Sequence, residues 1–168
     1  MTILPWYVAQ TKPRQEAVAW ENLRRQGYDA YLPSLKVLKR VQHRREVCME
    51  PMFPRYVFFQ PGSERQSIAP VRSTLGVCAV VRFGPAPAVL RPGTLDVIRA
   101  MEAAQHEVDA KELSRIRPGS KVVVVEGPLA GLEGLVSAIS ARRVEVLMHL
   151  LGTETRVSIA ADSLDAVM

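Results

Sequence analysis

Four consecutive valines, Val122–Val125, constrain the fold of this chain more than any other stretch. Valine loses rotamer freedom in a helix and packs well on a pleated surface, so the run reads as a buried strand. Pro118-Gly119 before it and Gly127-Pro128 after it are turn chemistry. Gly131 and Gly134 supply positive φ or close backbone approach at the next turn. Strand, glycine-rich turn, strand in so short a span predicts a small β-barrel from Ile116 to Val167. Its later strands are expected at Leu135–Ile139, Val144–Leu151 and Thr155–Ile159, with Asp162-Ser163-Leu164 as the closing turn. Leu132, Leu135, Val136, Ile139, Arg143, Val146, Leu147 and Leu150 also satisfy an i, i+3, i+4 pattern, and period alone does not separate strand from buried helix. The valines and glycines, poor helix residues, favour the strand reading.

The chain has 168 residues, enough for one medium domain or two small ones, and an ordinary globular balance of 48% hydrophobic and 23% charged residues. No charged, apolar leader and no apolar run of membrane-spanning length is present, and Cys48 and Cys78 are too few for a disulfide framework. A cytoplasmic, monomeric protein without membrane contact is expected. The net charge of +5 conceals an asymmetry, since residues 1–101 carry 15 Lys/Arg against 7 Asp/Glu while residues 102–168 carry 7 against 10. Basic surfaces attract phosphate backbones, so any nucleic acid is expected on the first part and a protein partner on the second.

Along the first part the pattern predicts a strand over Ile3–Ala9, a helix over Arg14–Gln26 ended by Gly27, and a strand over Tyr28–Leu32. Leu35–Val47 alternates apolar and basic residues, with Lys36, Lys39, Arg40, Arg44 and Arg45 on the cationic side, and reads as a protruding hairpin. Tyr56–Phe59 is a central strand, Ser67–Ser73 a short helix start, Val77–Phe83 a fourth strand, and Thr94–Ala104 a helix with Thr94 as N-cap. This order predicts an α+β fold, helices against one antiparallel sheet over residues 1–101, then a linker over 102–115 (its charged stretch Gln105–Ser114) and the all-β barrel over 116–168.

Several motifs carry a resemblance. The strand and glycine turns around Val122–Val125 resemble a KOW motif. Trp6-Tyr7, then Lys12, then a helix ending at Gly27-Tyr28 is similar to the start of the NusG N-terminal domain. Pro51-Met52-Phe53-Pro54-Arg55-Tyr56-Val57-Phe58 resembles the family's P-x-F-P-x-Y-x-F segment. Thr74-x-Gly76-Val77 followed by Val81-Arg82-Phe83-Gly84 is most similar to the RfaH-like specialised paralogues of NusG.

That resemblance implies a transcription elongation and antitermination factor, not an enzyme. Such a factor binds the clamp helices of bacterial RNA polymerase, is recruited by single-stranded non-template DNA in the transcription bubble, and suppresses pausing and termination. It places the polymerase patch on Tyr7, Phe53, Pro54, Tyr56 and Phe58, and the DNA contacts on Lys12, Asn22, Arg25 and Thr74. It also pairs Glu50 with Arg143 across the two domains. The KOW barrel is expected to recruit a small-subunit ribosomal protein or the termination factor Rho. Ser67-Ile68-Ala69 stands where RfaH carries the run that touches the polymerase gate loop, and Pro13 and Val18 replace basic residues of its DNA site.

The sequence also admits two other readings: a general NusG-like factor that binds without sequence preference, and a KOW-containing RNA-binding protein of the ribosome. No cofactor is expected. His43, His106 and His149 lack acidic or thiol neighbours at ligand spacing, so no metal is expected, and no nucleophile–base pair or phosphate-cradling loop is seen.

Overall fold

The computed structural model describes residues 3–107 and 140–151. The valine strand, the KOW-like glycine turns and the strands expected at 135–139 and 155–159 lie outside the described residues. In chain order the elements are β1 (Tyr7–Thr11), α1 (Glu16–Arg25), β2 (Asp29–Tyr31), β3 (Ser34–Val41), β4 (Arg44–Pro51) and β5 (Tyr56–Gln60). A 3-10 turn (Ala69–Ser73), β6 (Val77–Val80), β7 (Arg82–Phe83), β8 (Ala86–Pro87), α2 (Thr94–His106) and α3 (Ser140–Leu151) follow. They form two compact units, one of residues up to Leu32 with Phe53–Arg91, the other of Pro33–Met52 with the described residues from Pro92 on.

The first unit is an antiparallel sheet in the order β2-β5-β1-β6. Its central register pairs Tyr7 with Phe59, Val8 with Phe58, Ala9 with Val57 and Gln10 with Tyr56. Side chains alternate across a strand, so this register sorts the sequence onto two faces. One face places Ala9, Val57, Phe59 and Val77 against Ala19 and Leu23 of α1, with Tyr28 and Val71 completing the core. Phe59 is its centre: Tyr7 stacks on it at 5.5 Å and Tyr28 meets it edge-on at 5.8 Å. Such pairs contribute about 0.5–1.5 kcal/mol each beyond area burial.

Helix α1 ends as its sequence dictates. Gly27 adopts φ 93°, its N–H bonds Arg24 O at 3.0 Å, and the Tyr28 N–H reaches Leu23 O at 3.2 Å. This is a Schellman closure, sealed by Tyr28 and Leu23 in the same core. Arg24 and Arg25 occupy the last turn, where the helix dipole favours cations.

In the second unit β3 and β4 pair in unbroken register from Ser34–Pro51 to Val41–Arg44. The two-residue connection Gln42-His43 has φ 49° and 69°, the left-handed geometry of a tight hairpin turn made here without glycine. Helix α2 lies along the base of β3. The Gln105 side-chain amide accepts from Lys36 N–H (2.8 Å) and donates to Lys36 O (2.7 Å), as a neighbouring strand would. Glu102 takes the Ser34 N–H at 2.7 Å, His106 Nε2 meets Ser34 O at 2.9 Å, and Lys36 Nζ bonds His106 O. The edge of β3 is thus covered by side chains, one of the ways an unpaired strand edge is protected.

Three sequence expectations change. Val144–Leu151 belongs to helix α3, not to a strand. There Arg143, Val146, Leu147, Leu150 and Leu151 are buried while Glu145 is exposed, a helical stripe. Helix α2 packs on β3. It also runs into the expected linker as far as His106, because Gln105 has partners on β3. Its N-cap is Gly93, at φ 89°, and Thr94 is instead a buried first-turn residue.

Candidate protein and nucleic-acid interfaces

The segment after β4 brings together part of the expected polymerase patch. Phe53-Pro54-Arg55-Tyr56 is a β-turn closed by Tyr56 N–H to Phe53 O at 3.0 Å. Proline at the second position and a positive φ of 74° at Arg55 are the type II signature. The turn returns the chain into β5 so that Phe53 meets Phe58 edge-on at 5.9 Å, and Tyr31 stacks on Phe58 at 6.1 Å. Tyr56 shares the Phe58 face by strand alternation. Tyr7 does not: it lies on the α1 face against Phe59. Phe53 and Phe58 are 1% and 0% exposed, whereas Pro54 and Tyr56 are half-buried. Of the five residues, Pro54 and Tyr56 present accessible surface on that side.

The expected DNA residues come from three stretches of sequence and are strung along α1. Lys12 precedes the helix and its N–H bonds Gly76 O at 2.9 Å. The 74–76 segment then follows the helix toward its C-terminal end. Gly76 is pressed so closely that an added Cβ would sit 2.9 Å from Ala19 N, and its φ of 89° is left-handed. At the far end the Thr74 hydroxyl accepts from Gln26 Nε2 at 2.7 Å and donates to Pro70 O at 3.2 Å. Thr74 is 6% exposed, so its hydroxyl is committed to the fold and holds Gln26 in place. Asn22 donates to Val18 O at 2.8 Å, and exposed Arg25 pairs with Glu21 at 2.8 Å one turn back. Arg24 lies over the Trp20 ring at 4.6 Å, leaving a cation and an aromatic on the same helix.

Two residues that pattern reading passes over hold this surface together. Glu16 is a buried carboxylate, and its Oε2 accepts the Arg55 N–H at 2.9 Å. Arg55 returns its Nε to Thr11 O at 3.1 Å, while Thr11 N–H donates to Arg55 O at 2.8 Å. An L-residue in left-handed geometry costs roughly 1–2 kcal/mol, and these bonds oppose that cost. Nothing in the linear pattern marks the pair, because 39 positions separate Glu16 from Arg55. Burial raises the Tyr28 phenol above its ordinary 10.0, and its hydroxyl donates to Ser67 O at 2.5 Å.

In the second unit Arg143 Nη2 and Glu50 Oε1 lie 2.7 Å apart, and Arg143 Nε donates to Met52 O at 2.6 Å. Lys39 Nζ approaches the other Glu50 oxygen at 3.5 Å. Arg143 is 3% exposed. The resemblance placed this pair across two domains; in the structure both residues lie in one compact unit.

Among the described residues no group of three or more His, Cys, Asp or Glu is placed to hold a metal, and no helix is long and apolar enough to cross a membrane. A family model described as "Transcription termination factor nusG" matches residues 4–99. The chain is similar to the transcription termination/antitermination protein NusG of Thermus thermophilus, 29% identical over 174 residues that cover 93% of this chain and 95% of that one. A solved structure described as "Domain interaction in Thermotoga maritima NusG" aligns over 77% of this chain and 76% of its own, with 21% identity and a TM-score of 0.45.

Proposed function

The chain belongs to the NusG family of transcription termination and antitermination factors, and we propose that it acts as a specialised, RfaH-like member. It binds elongating RNA polymerase and is recruited by single-stranded non-template DNA. No bond is made or broken; the work is binding free energy directed at a polymerase that pauses or terminates. Pro54 and Tyr56, backed by the Phe53–Phe58 pair, form the contact to the clamp helices. Partly exposed aromatic and proline surface on a rigid support is suited to an interface hot spot. Lys12, Asn22 and Arg25 contact the DNA, and Thr74 serves by positioning Gln26.

One observation carries the DNA reading. Residues scattered from 12 to 76 converge on a single line along α1, fixed by the Lys12–Gly76 and Gln26–Thr74 bonds. Cations along such a line suit a phosphate backbone, while Asn and Gln amides suit base edges. By resemblance, RfaH-like members can hold their C-terminal part as a helical hairpin, and the helical state of Ser140–Leu151 with its buried Arg143–Glu50 anchor supports the specialised reading further. The similarity to Thermus NusG over nearly the whole chain favours a second reading, a general factor that ignores DNA sequence. Through its C-terminal residues, by resemblance, the protein recruits a small-subunit ribosomal protein or Rho.

Elongation complexes assembled on templates of varied non-template sequence decide between these. Arg25→Ala is expected to lower retention several-fold on the preferred sequence and little elsewhere, and Tyr56→Ala to lower it on every template. Retention that is equal on all sequences, and equal for Arg25→Ala, overturns the specialised reading in favour of the general one. Undiminished retention of Tyr56→Ala overturns the patch.

A further inference from the structure

The C-terminal end of β1 is gripped from both sides by the same device. On one side Thr11 N–H bonds the carbonyl of Arg55; on the other Lys12 N–H bonds the carbonyl of Gly76. Each acceptor is the left-handed third residue of a β-turn, Phe53–Tyr56 in one case and Thr74–Val77 in the other, the latter closed by Val77 N–H to Thr74 O at 3.0 Å. Glycine is the expected occupant of such a position, and Gly76 conforms. Arg55 does not, and its side chain is neither loose nor buried. Its Nε is tied to Thr11 O at 3.1 Å and the residue is exposed. The Nη groups have no partner among the described residues. A strained backbone position therefore carries an arginine whose planar fork is held in place and turned to no acceptor among the described residues.

Lys12 is exposed beside it in the ladder, and Leu75, on the second turn, is 65% exposed. Tethering through Nε removes much of the rotamer freedom an arginine loses on binding, and the free edge of a guanidinium matches two oxygens of a phosphate. We propose that Arg55, Lys12 and Leu75 form a subsite for one nucleotide unit of single-stranded DNA. Arg55 and Lys12 take the phosphate, and the base packs on Leu75. The subsite rests on the reading that the α1 surface binds single-stranded DNA, and extends it to a residue from the polymerase-side turn. Thr11, bonded to Arg55 through both its N–H and its carbonyl, links the two surfaces, so a strand seated here runs off the N-terminal end of α1.

The test is fluorescence anisotropy of the full-length chain with a labelled single-stranded oligonucleotide pool of random sequence, over a series of salt concentrations. Arg55→Gly removes the fork and relieves the turn. It is expected to weaken binding five- to tenfold and to flatten the salt dependence by about one phosphate contact, while the thermal midpoint holds or rises. Arg55→Lys, which keeps charge but not the fork, is expected to recover only part of the loss. Leu75→Ala is expected to weaken binding to the normal pool about threefold and to leave binding to an abasic pool unchanged. Arg25→Ala reports on the wider DNA surface. If Arg25→Ala weakens binding and Arg55→Gly stays within twofold with the same salt slope, the subsite is wrong and the DNA reading stands. If the unmodified chain binds neither pool, both fall.

Discussion

The Arg143 guanidinium on α3 meets the Glu50 carboxylate on β4 at 2.7 Å and holds the Met52 carbonyl through Nε at 2.6 Å. Removing Glu50 takes the carboxylate away from a nearly fully buried cation. Glu50 itself is about a quarter exposed (24%), so Glu50→Ala is expected to cost the second unit about 2–3 kcal/mol, below the full cost of an orphaned buried charge. Amide exchange over residues 143–151 should accelerate roughly 30- to 150-fold if α3 opens locally. The double variant Glu50→Gln with Arg143→Met should lose less than Glu50→Ala alone. Unchanged protection in Glu50→Ala would show that the ion pair does not hold α3.

Gly76 sits where both its φ and its neighbours exclude a side chain. Gly76→Ala places a methyl 2.9 Å from Ala19 N at φ 89°. Either the turn moves away from α1 or the helix shifts. A loss of about 2 kcal/mol is expected, read as a lower urea midpoint with unchanged slope. Gln26 would lose its Thr74 partner in the same movement, so DNA retention should fall along with stability.

His149 gives the second unit a pH dependence. Burial pushes its imidazole below the ordinary 6.5, and Glu145 one turn back pulls weakly the other way. Its buried Nδ1 has no partner among the described residues. The unfolded chain therefore takes up the proton before the folded one does as the pH falls. Stability is complete above the ordinary histidine value and declines as the pH drops below about 6.5, down to the lowered folded value. Denaturation followed by circular dichroism at about pH 8 and about pH 5 should show α3 weaker in acid. His149→Gln should remove that part of the difference, and a pH response identical in the variant would assign it to other groups.

Much of the first unit was legible because its signals are local. Gly27 after an apolar helical stripe predicts where α1 ends, and Tyr56–Phe59 reads directly as a central strand. The hairpin was legible too, although its turn at Gln42-His43 carries none of the glycine or asparagine that normally announces one. The resemblance assigns Thr74 to DNA, yet its hydroxyl turns inward to Gln26 and Pro70. A side chain's partners 48 residues away leave no trace in a window of ten.

Val144–Leu151 shows where pattern reading stops. Both periods fit the apolar residues there, and the neighbouring valines and glycines favoured strand. Arg143 reached a carboxylate and a carbonyl on β4 and at its end, and the stripe Val146, Leu147, Leu150 was buried as a helix. By itself the sequence determined the alternation of β1 and β5, the stop of α1, the cationic hairpin and the excess of positive charge before residue 101, since each follows from neighbours along the chain. The tertiary structure alone decided which face Tyr7 takes, that Glu16 would clasp the Arg55 turn, and that residues 140–151 would be helical, because those outcomes are set by contacts that loop closure brings together only after the local elements exist.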